Sequence, residues 1–591
     1  MRTGAVRSRT HARRQVALVA VLTVLLVFSG RLVYVQAFQG PELAEQAKED
    51  RTRTSAIRAP RGDILDADGE VLATSVERFN VGVNQRLVKN YVVSDADGEV
   101  LARGAAAAAE ALAPLLGRDK AELGAQLVGD STFVYLAKGL TPEQWREIDA
   151  LRIPGIEPEE TTERIYPNGT TAGNVLGFVG ADGQGLAGLE LTYDDALTGT
   201  DGSLTVEIGG TGQVIPTGHR EEVPAAPGLT VHTTIDRDLQ YFAQRSIDEA
   251  VAAHGGAWGA VVVEEIGTGR ILALADSGTV DPNDFQSWAA EDRGSRAVQS
   301  PYEPGSTGKL PTFAVALEHG LVTPDTVFTV PDTLTMPNGQ TFRDNSPHAT
   351  ETLTPVGVLQ MSSNTGTVQI GDLVDDRTRF DLLRSFGFGE RTGIELPGES
   401  GGVVRDPDTW DRRTRYTTMF GQGMSVTLLQ NTSMVATLGN DGVRMDPHVV
   451  DGTTDGDGVF APTEVADGQE VVSAGTAQTM LAMMETVVAD GGTGPQGAVP
   501  GYRVAAKTGT AEILDAAGGL SNRLGSFVGV APAEDPRVAV GVVVYRGAGT
   551  SYGGTVAAPT FREVTAFALR EMGVGPSTEP PPTLALTPEQ G

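Results

Sequence analysis

Pro304-Gly305-Ser306-Thr307-Gly308-Lys309 lies near the middle of a 591-residue chain and governs how the rest is read. Of the 45 Lys and Arg residues only six are lysine, at 48, 89, 120, 138, 309 and 507. A composition that favours arginine wherever a cation serves implies that Lys309 and Lys507 do something arginine cannot. Arginine is effectively never deprotonated, whereas a lysine that is desolvated, or set beside another cation, can become a neutral base. If a helix begins at this stretch, Ser306 and Lys309 are three residues apart on one face and the amine reaches the hydroxyl. A serine hydroxyl is a weak nucleophile until a neighbouring base takes its proton. The free N–H groups of a helix start near Ser306 could also hold a developing oxyanion. A phosphate-binding loop looks similar but fails twice. Glu303 stands where its first Gly belongs, and Leu310 replaces the Ser or Thr that would bind magnesium.

Alone, Ser-x-x-Lys is a weak signal, and its strength comes from two companions. Fifty-three residues beyond Lys309 begins Ser362-Ser363-Asn364, by itself only a turn or helix cap. Lys507-Thr508-Gly509-Thr510 follows the apolar Tyr502 to Ala506 and would occupy a strand edge; by itself it is a solvated lysine near a turn. The frame around them reads as a helix over 236–251, strands at 260–264 and 270–275, a long run of helices and loops, strands at 502–507, 526–530 and 538–545, and a helix at 561–572. A sheet built from both ends of a segment with helices between is an α+β unit. In this order and on this frame, the three motifs match the active site of the penicillin-recognising serine acyltransferases.

The opposite end of the chain suggests where such a site would work. Five arginines, at 2, 7, 9, 13 and 14, precede an apolar run from Val16 to Phe38. At about 1.5 Å per residue this is roughly 34 Å of helix, against a bilayer core of about 30 Å. The arginines put residues 1–15 in the cytoplasm and everything beyond the span outside. Arg31 would snorkel to the outer interface, where Tyr34 is also at home. The competing reading is a cleaved signal peptide, against which stands the lack of a convincing A-x-A site. Residues 42–227 have mixed periodicity, with an alanine-rich helix over 102–116. The segment Asp66-Ala67-Asp68-Gly69-Glu70-Val71-Leu72-Ala73 is echoed from Asp95 to Ala102, a hairpin signal that lacks the terminal Glu of a calcium loop. Residues 574–591, with Pro580-Pro581-Pro582 and little apolar content, read as a disordered tail.

Composition removes other classes. With 45 Lys and Arg against 76 Asp and Glu, a net charge of −31 repels nucleic acid. The absence of cysteine excludes disulfide scaffolds and zinc-thiolate sites. The seven histidines are scattered without a metal-ligand pair, so neither a metal nor a cofactor is expected.

Beyond the three motifs, the chain resembles a class B penicillin-binding protein, an anchored peptidoglycan DD-transpeptidase. Arg61-Gly62-Asp63-Ile64-Leu65-Asp66, Arg164-Ile165-Tyr166-Pro167, Gly177-Phe178-Val179-Gly180 and Gly185-Leu186-Ala187-Gly188-Leu189-Glu190 look like the family's pedestal motifs. Ala67 and Asp68 depart from the Arg and Asn common there. Gly421-Gln422-Gly423, Leu429-Gln430 and Tyr552-Gly553-Gly554 also follow the pattern. The resemblance covers about residues 16–572, with no glycosyltransferase domain before the pedestal and no repeat module after the catalytic unit. It implies a transmembrane helix at 16–38, an elongated α/β pedestal at 42–227 and a penicillin-binding transpeptidase domain at 228–573, an antiparallel sheet flanked by helices. The type is the division or septal member in high-GC Gram-positive bacteria, with the elongation-type member as the alternative.

On this resemblance Ser306 attacks the penultimate D-alanine carbonyl of a stem peptide while Lys309 takes its proton. Ser362 relays a proton to the leaving amine, and Asn364 binds the substrate amide. Lys507, Thr508, Gly509 and Thr510 form the donor-carboxylate strand, with the N–H groups of Ser306 and Thr510 at the oxyanion. β-Lactams would be covalent inhibitors. A SEDS-family glycosyltransferase and other divisome membrane proteins would be partners. A serine β-lactamase would need an E-x-x-L-N segment that is not found between the second and third motifs, and a sensor would need a cytoplasmic reporting portion. A non-catalytic scaffold is disfavoured by the intact motifs.

Overall fold

The computed structural model describes residues 5–39, 45, 48, 51–210, 213–513, 522–548 and 552–590. A helix over Ala5–Tyr34 runs on as a π-helical turn at Val35–Gln39. Its segment His11–Gln39 is long and apolar enough to cross a membrane, and large apolar side chains from Val16 to Phe38 are exposed along it. The Arg31 guanidinium lies 5.4 Å from the Tyr34 ring centroid, a pairing suited to a membrane interface.

The chain divides into two compact units that a single boundary at 227/228 does not separate. One comprises residues 1–60, 76–163 and 200–226; the other comprises 61–75, 164–199 and 227–591. The reason is local pairing: Ile64–Leu65 lies parallel to Val231–His232, which ties the segment after Arg61 to the second unit. In the first unit Thr52–Ile57 pairs antiparallel with Gly202–Glu207, which pairs with Arg220–Val223. Its core gathers Val81, Val83, Leu112, Leu123 and Leu136. The alanine-rich helix starts at Gly104, two residues later than its composition suggests, because Val100–Arg103 is drawn into a hairpin with Val92–Ser94. The echoed Asp-x-Asp-Gly is a turn device. Asp66 Oδ1 accepts from the N–H groups of Asp68 and Glu70 at 3.0 and 2.7 Å, and Asp95 Oδ1 accepts from those of Asp97 and Glu99 at 3.1 and 2.8 Å.

The second unit is built on a five-stranded antiparallel sheet. In chain order its main elements are α1 (Arg237–His254), β1 (Gly256–Glu265), β2 (Ile271–Asp276), α2 (Lys309–Glu318), α3 (Pro355–Met361), α4 (Asn364–Gly371), α5 (Leu428–Gly439), α6 (Ala474–Val488), β3 (Ala505–Ile513), β4 (Asn522–Ala531), β5 (Val538–Ala548) and α7 (Ala558–Glu571). The strand order is β2-β1-β5-β4-β3, so the two ends of the segment close one sheet, as the sequence pattern implied. Helix α1 begins where Asp236 accepts from the N–H groups of Asp238 and Leu239, and it ends at Gly255 in the left-handed region. Val261, Val263, Val540 and Val542 pack with Leu239 and Ile247 of α1 and Phe561 and Val564 of α7. Val528, Val530 and Ala539 instead pack with Leu310 of α2, Met434 of α5 and Met480 of α6. With helices on both faces, the middle of β1, β2 and β5 reads as a near-continuous apolar run and does not alternate.

Residues 574–590, expected to be a disordered tail, make specific contacts in the structure. Tyr502 donates to Val574 O at 2.7 Å, and the Ser577 N–H donates to Gly501 O at 2.9 Å. Farther along, the Thr354 N–H donates to Leu586 O at 3.0 Å and its hydroxyl to Ala585 O at 2.6 Å. Leu584 and Leu586 pack against the core. A proline-rich stretch forgoes little backbone freedom on docking, so two leucines and a few backbone bonds hold the segment to the start of α3.

Candidate active site

Ser306 sits in a 3-10 turn, Gly305–Gly308, that leads directly into α2. Gly305 has φ +56°, and a Cβ there would lie 2.4 Å from the carbonyl oxygen of Thr510. Only glycine lets the turn press against β3, which brings Ser306 beside the third motif. Gly421 of the Gly-x-Gly segment closes the other side, its carbonyl accepting from the Gly305 N–H at 3.0 Å.

Ser362 ends α3 in the left-handed conformation, φ 58° and ψ 38°, at the kink before α4. Its hydroxyl is the meeting point of the site. Lys309 Nζ donates to Ser362 Oγ at 3.1 Å and to Ser362 O at 2.5 Å, while Lys507 Nζ reaches the same Oγ at 3.0 Å. Lys507 Nζ also approaches Thr508 O and Oγ1, both at 3.3 Å. Both lysines are fully buried, and among the described residues neither pairs with a carboxylate within 4.0 Å. Burial pushes the Lys309 amine down to about 7, a fall that the charge of Asp344 partly resists. Lys507 is held well below its ordinary value by burial and then by the charge of Lys309.

The expected contact from Lys309 to the Ser306 hydroxyl is not made. The amine turns to the Ser362 carbonyl and hydroxyl, which offer it two acceptors inside the protein, and Ser306 Oγ makes no hydrogen bond within the described residues. Ser306 is half-buried and faces a cleft of about 420 Å³. Ser362, Thr508, Gly509, Thr510 and Tyr552 line it together with Asp344, His348 and Glu351. Lys309 and Lys507 lie behind this lining. Asn364 is half-buried and outside the lining, with its Nδ2 donating to Arg343 O at 3.0 Å. Thr508 Oγ1 is paired with Thr493 Oγ1 at 2.9 Å. Four residues near the motifs escaped the sequence reading. Asp344 and His348 flank the second motif, and buried Asn431 donates to Tyr302 Oη at 2.9 Å and to Thr307 Oγ1 at 3.1 Å. No spacing or composition signal marks them, because separate loops and helices bring them in.

A second buried cluster gathers the pedestal-like motifs. Arg61 Nε and Arg164 Nε donate to the two oxygens of Glu190 at 2.5 and 2.7 Å, and Arg61 Nη1 pairs with Asp194 at 2.7 Å. Tyr166 donates its hydroxyl proton to Glu190 at 3.1 Å. Burial, and then the Glu190 charge, raise the Tyr166 pKa and keep that proton in place.

Two buried amines that meet on one hydroxyl, behind a cleft that a half-buried serine also lines, have the chemistry that serine–lysine acyl transfer requires. Residues 259–566 match the penicillin binding protein transpeptidase domain, and residues 56–233 match the penicillin-binding protein dimerisation domain. Penicillin-binding protein PbpB of Mycolicibacterium smegmatis is 35% identical over 97% of this chain and 92% of its own length. Peptidoglycan D,D-transpeptidase FtsI of Escherichia coli is 32% identical over 94% and 91%. The crystal structure of penicillin binding protein 3 from Mycobacterium tuberculosis complexed with aztreonam superposes with a TM-score of 0.69 at 31% identity, covering 90% of this chain and all of that one. The chain belongs to the class B penicillin-binding proteins of septal type, serine-type peptidoglycan D,D-transpeptidases.

Proposed function

We propose that Ser306 is the acylated residue of this transpeptidase and that Lys309, as a neutral amine, is its base. The observation that carries the reading is the convergence of the Lys309 and Lys507 amines on the Ser362 hydroxyl, with no carboxylate among the described residues paired to either. Ser306 Oγ attacks the carbonyl carbon of the penultimate D-alanine of a donor stem peptide and passes its proton to Lys309. Lys309 reaches Ser306 by leaving the Ser362 carbonyl, a rotation within one flexible side chain. The tetrahedral oxyanion is held by the N–H groups of Ser306 and Thr510. Collapse breaks the amide bond, and a proton from Lys309 reaches the leaving nitrogen through Ser362. Terminal D-alanine departs and leaves an ester on Ser306. The amine of a second stem attacks that ester, its proton returns by the same route to Ser306 Oγ, and the cross-link is complete. Lys507, Thr508, Gly509 and Thr510 orient the donor carboxylate, and Asn364 holds the substrate amide once its own contact with Arg343 O is exchanged.

β-Lactams, whose strained amide presents the same carbonyl, acylate Ser306 on this reading. The aztreonam complex named for the mycobacterial relative supports it. Its N-terminal helix anchors the chain in the cell membrane with residues 1–15 in the cytoplasm and the catalytic unit outside; the five arginines before the span support that orientation. The partner is a SEDS-family glycosyltransferase, with other divisome membrane proteins, engaging the anchor and the pedestal.

Exposure of the purified chain to a penicillin, followed by intact-mass measurement and mapping of the modified peptide, tests the reading. A single adduct on the peptide containing Ser306, absent from Ser306→Ala, is expected; an adduct elsewhere overturns it.

A further inference from the structure

The Ser362–Asn364 turn is an unusual thing to hold still. Ser362 has positive φ without being glycine, a conformation that persists only when its surroundings enforce it. One carboxylate holds the three residues that follow Ser362. Asp344 follows the hairpin Thr333–Thr335/Thr341–Arg343. Its Oδ1 accepts from the N–H groups of Asn364 at 2.5 Å and Thr365 at 2.9 Å, the first two donors of α4. Its Oδ2 accepts from Ser363 Oγ at 2.6 Å, and Ser363 in turn caps α4 by accepting from the Gly366 N–H at 3.0 Å. The same strand end supplies Arg343 O, the acceptor for Asn364 Nδ2.

Asp344 is itself clamped. His348 Nε2 lies 3.0 Å from Asp344 Oδ2, and His348 Nδ1 lies 2.7 Å from Ala349 O. Both ring nitrogens therefore face acceptors, and only the doubly protonated ring donates to both. Burial alone would lower its pKa, but the Ala349 carbonyl, Asp344 and Glu351 outweigh burial and hold it above the ordinary histidine value. The ionisable groups facing this pair are Glu351, 3.9 Å from His348 Nδ1, and Lys309, on which the Asp344 charge acts.

We propose that Asp344, clamped by His348, is a positioning residue of the transpeptidase site. Its carboxylate fixes the turn that sets Ser362 between the two lysine amines, and the net charge of the Asp344–His348 pair tunes the basicity of Lys309. The inference rests on the assignment of Ser306 and Lys309 above. Asp344 does not touch the reacting atoms; it acts through the backbone of α4 and through its field.

The test measures the rate of Ser306 acylation by a fluorescent penicillin in the full-length chain, from well below to well above neutral pH, for the wild type, Asp344→Asn and His348→Gln. An adduct on wild-type Ser306 must appear first; its absence overturns the site assignment, and this inference with it. Given the adduct, Asp344→Asn is expected to lower the plateau rate about 100-fold, the scale of a misplaced catalytic group. It also moves the acidic limb to lower pH, because Lys309 loses a negative charge that keeps it protonated. His348→Gln keeps a donor to Asp344 but removes the positive charge, so it moves the limb the opposite way, to higher pH, with a smaller loss of rate. Limbs that stay where the wild type has them, or that move the same way in both variants, overturn the proposal. A loss of rate that only parallels a loss of folded protein does so too, and His348→Gln answers the question if Asp344→Asn does not fold.

Discussion

Two of the places where the catalytic unit buries cations treat them in opposite ways. At Arg61 and Arg164 each guanidinium lies against Glu190, and Arg61 also meets Asp194, so charges are matched and hydrogen-bonded. At Lys309 and Lys507 two amines share one hydroxyl and have no carboxylate partner within ion-pair distance among the described residues. A guanidinium cannot give up its proton, so its burial demands an anion; an amine can, so its burial without an anion yields a base. In these two buried places arginine stands where an anion matches the charge and lysine where none does.

Exchanging the two chemistries should break this contrast. Lys309→Arg forces a permanent charge into the unpaired site, and the penicillin acylation rate should fall by about 10²–10⁴, the usual worth of a general base. A near-normal rate would mean that the base lies elsewhere. Glu190→Gln leaves two buried guanidiniums without their shared anion. Unfolding measurements should show a loss of about 3–5 kcal/mol, while the protein that remains folded acylates normally. Truncation after Gly573 removes the docked segment and with it Leu584 and Leu586. Partial burial of two leucines is worth about 2–3 kcal/mol, visible as a lower Tm; an unchanged Tm would return that segment to the disordered class. The smallest effect concerns Glu264, buried beside Ser433, whose hydroxyl donates to it at 2.7 Å. Burial pushes its carboxyl up to about 8. Because the folded state holds this proton more tightly than the unfolded one, the contribution is full below the ordinary carboxylate range and is lost as pH rises to about 8. Glu264→Gln should flatten that part of the stability–pH curve without changing acylation at neutral pH.

Much of this was legible in the sequence because it is local or compositional. The apolar runs of the central strands, the long apolar helix that includes 16–38 and the three motifs are written in contiguous residues. The scarcity of lysine pointed at Lys309 and Lys507 before any contact was known. What escaped is what distant segments make together. Asp344 is a single aspartate in a loop until α4 presents its N–H groups, and Arg61, Arg164 and Glu190 are far apart in the chain until they share one carboxylate. The docked tail escaped for a different reason: composition weighs proline heavily, whereas docking needed only two leucines and the cap of α3. The direction of the Lys309 amine was also invisible, since a three-residue spacing shows proximity to Ser306 but not the competing carbonyl of Ser362.

The most direct measurement is titration of the Lys309 side chain itself, by NMR of selectively labelled lysine in the folded protein, with Lys309→Arg identifying the resonance. A midpoint near 7, far below an ordinary lysine, is the result this account requires. A midpoint at the usual value of about 10.4 would show a charged amine at neutral pH and contradict it.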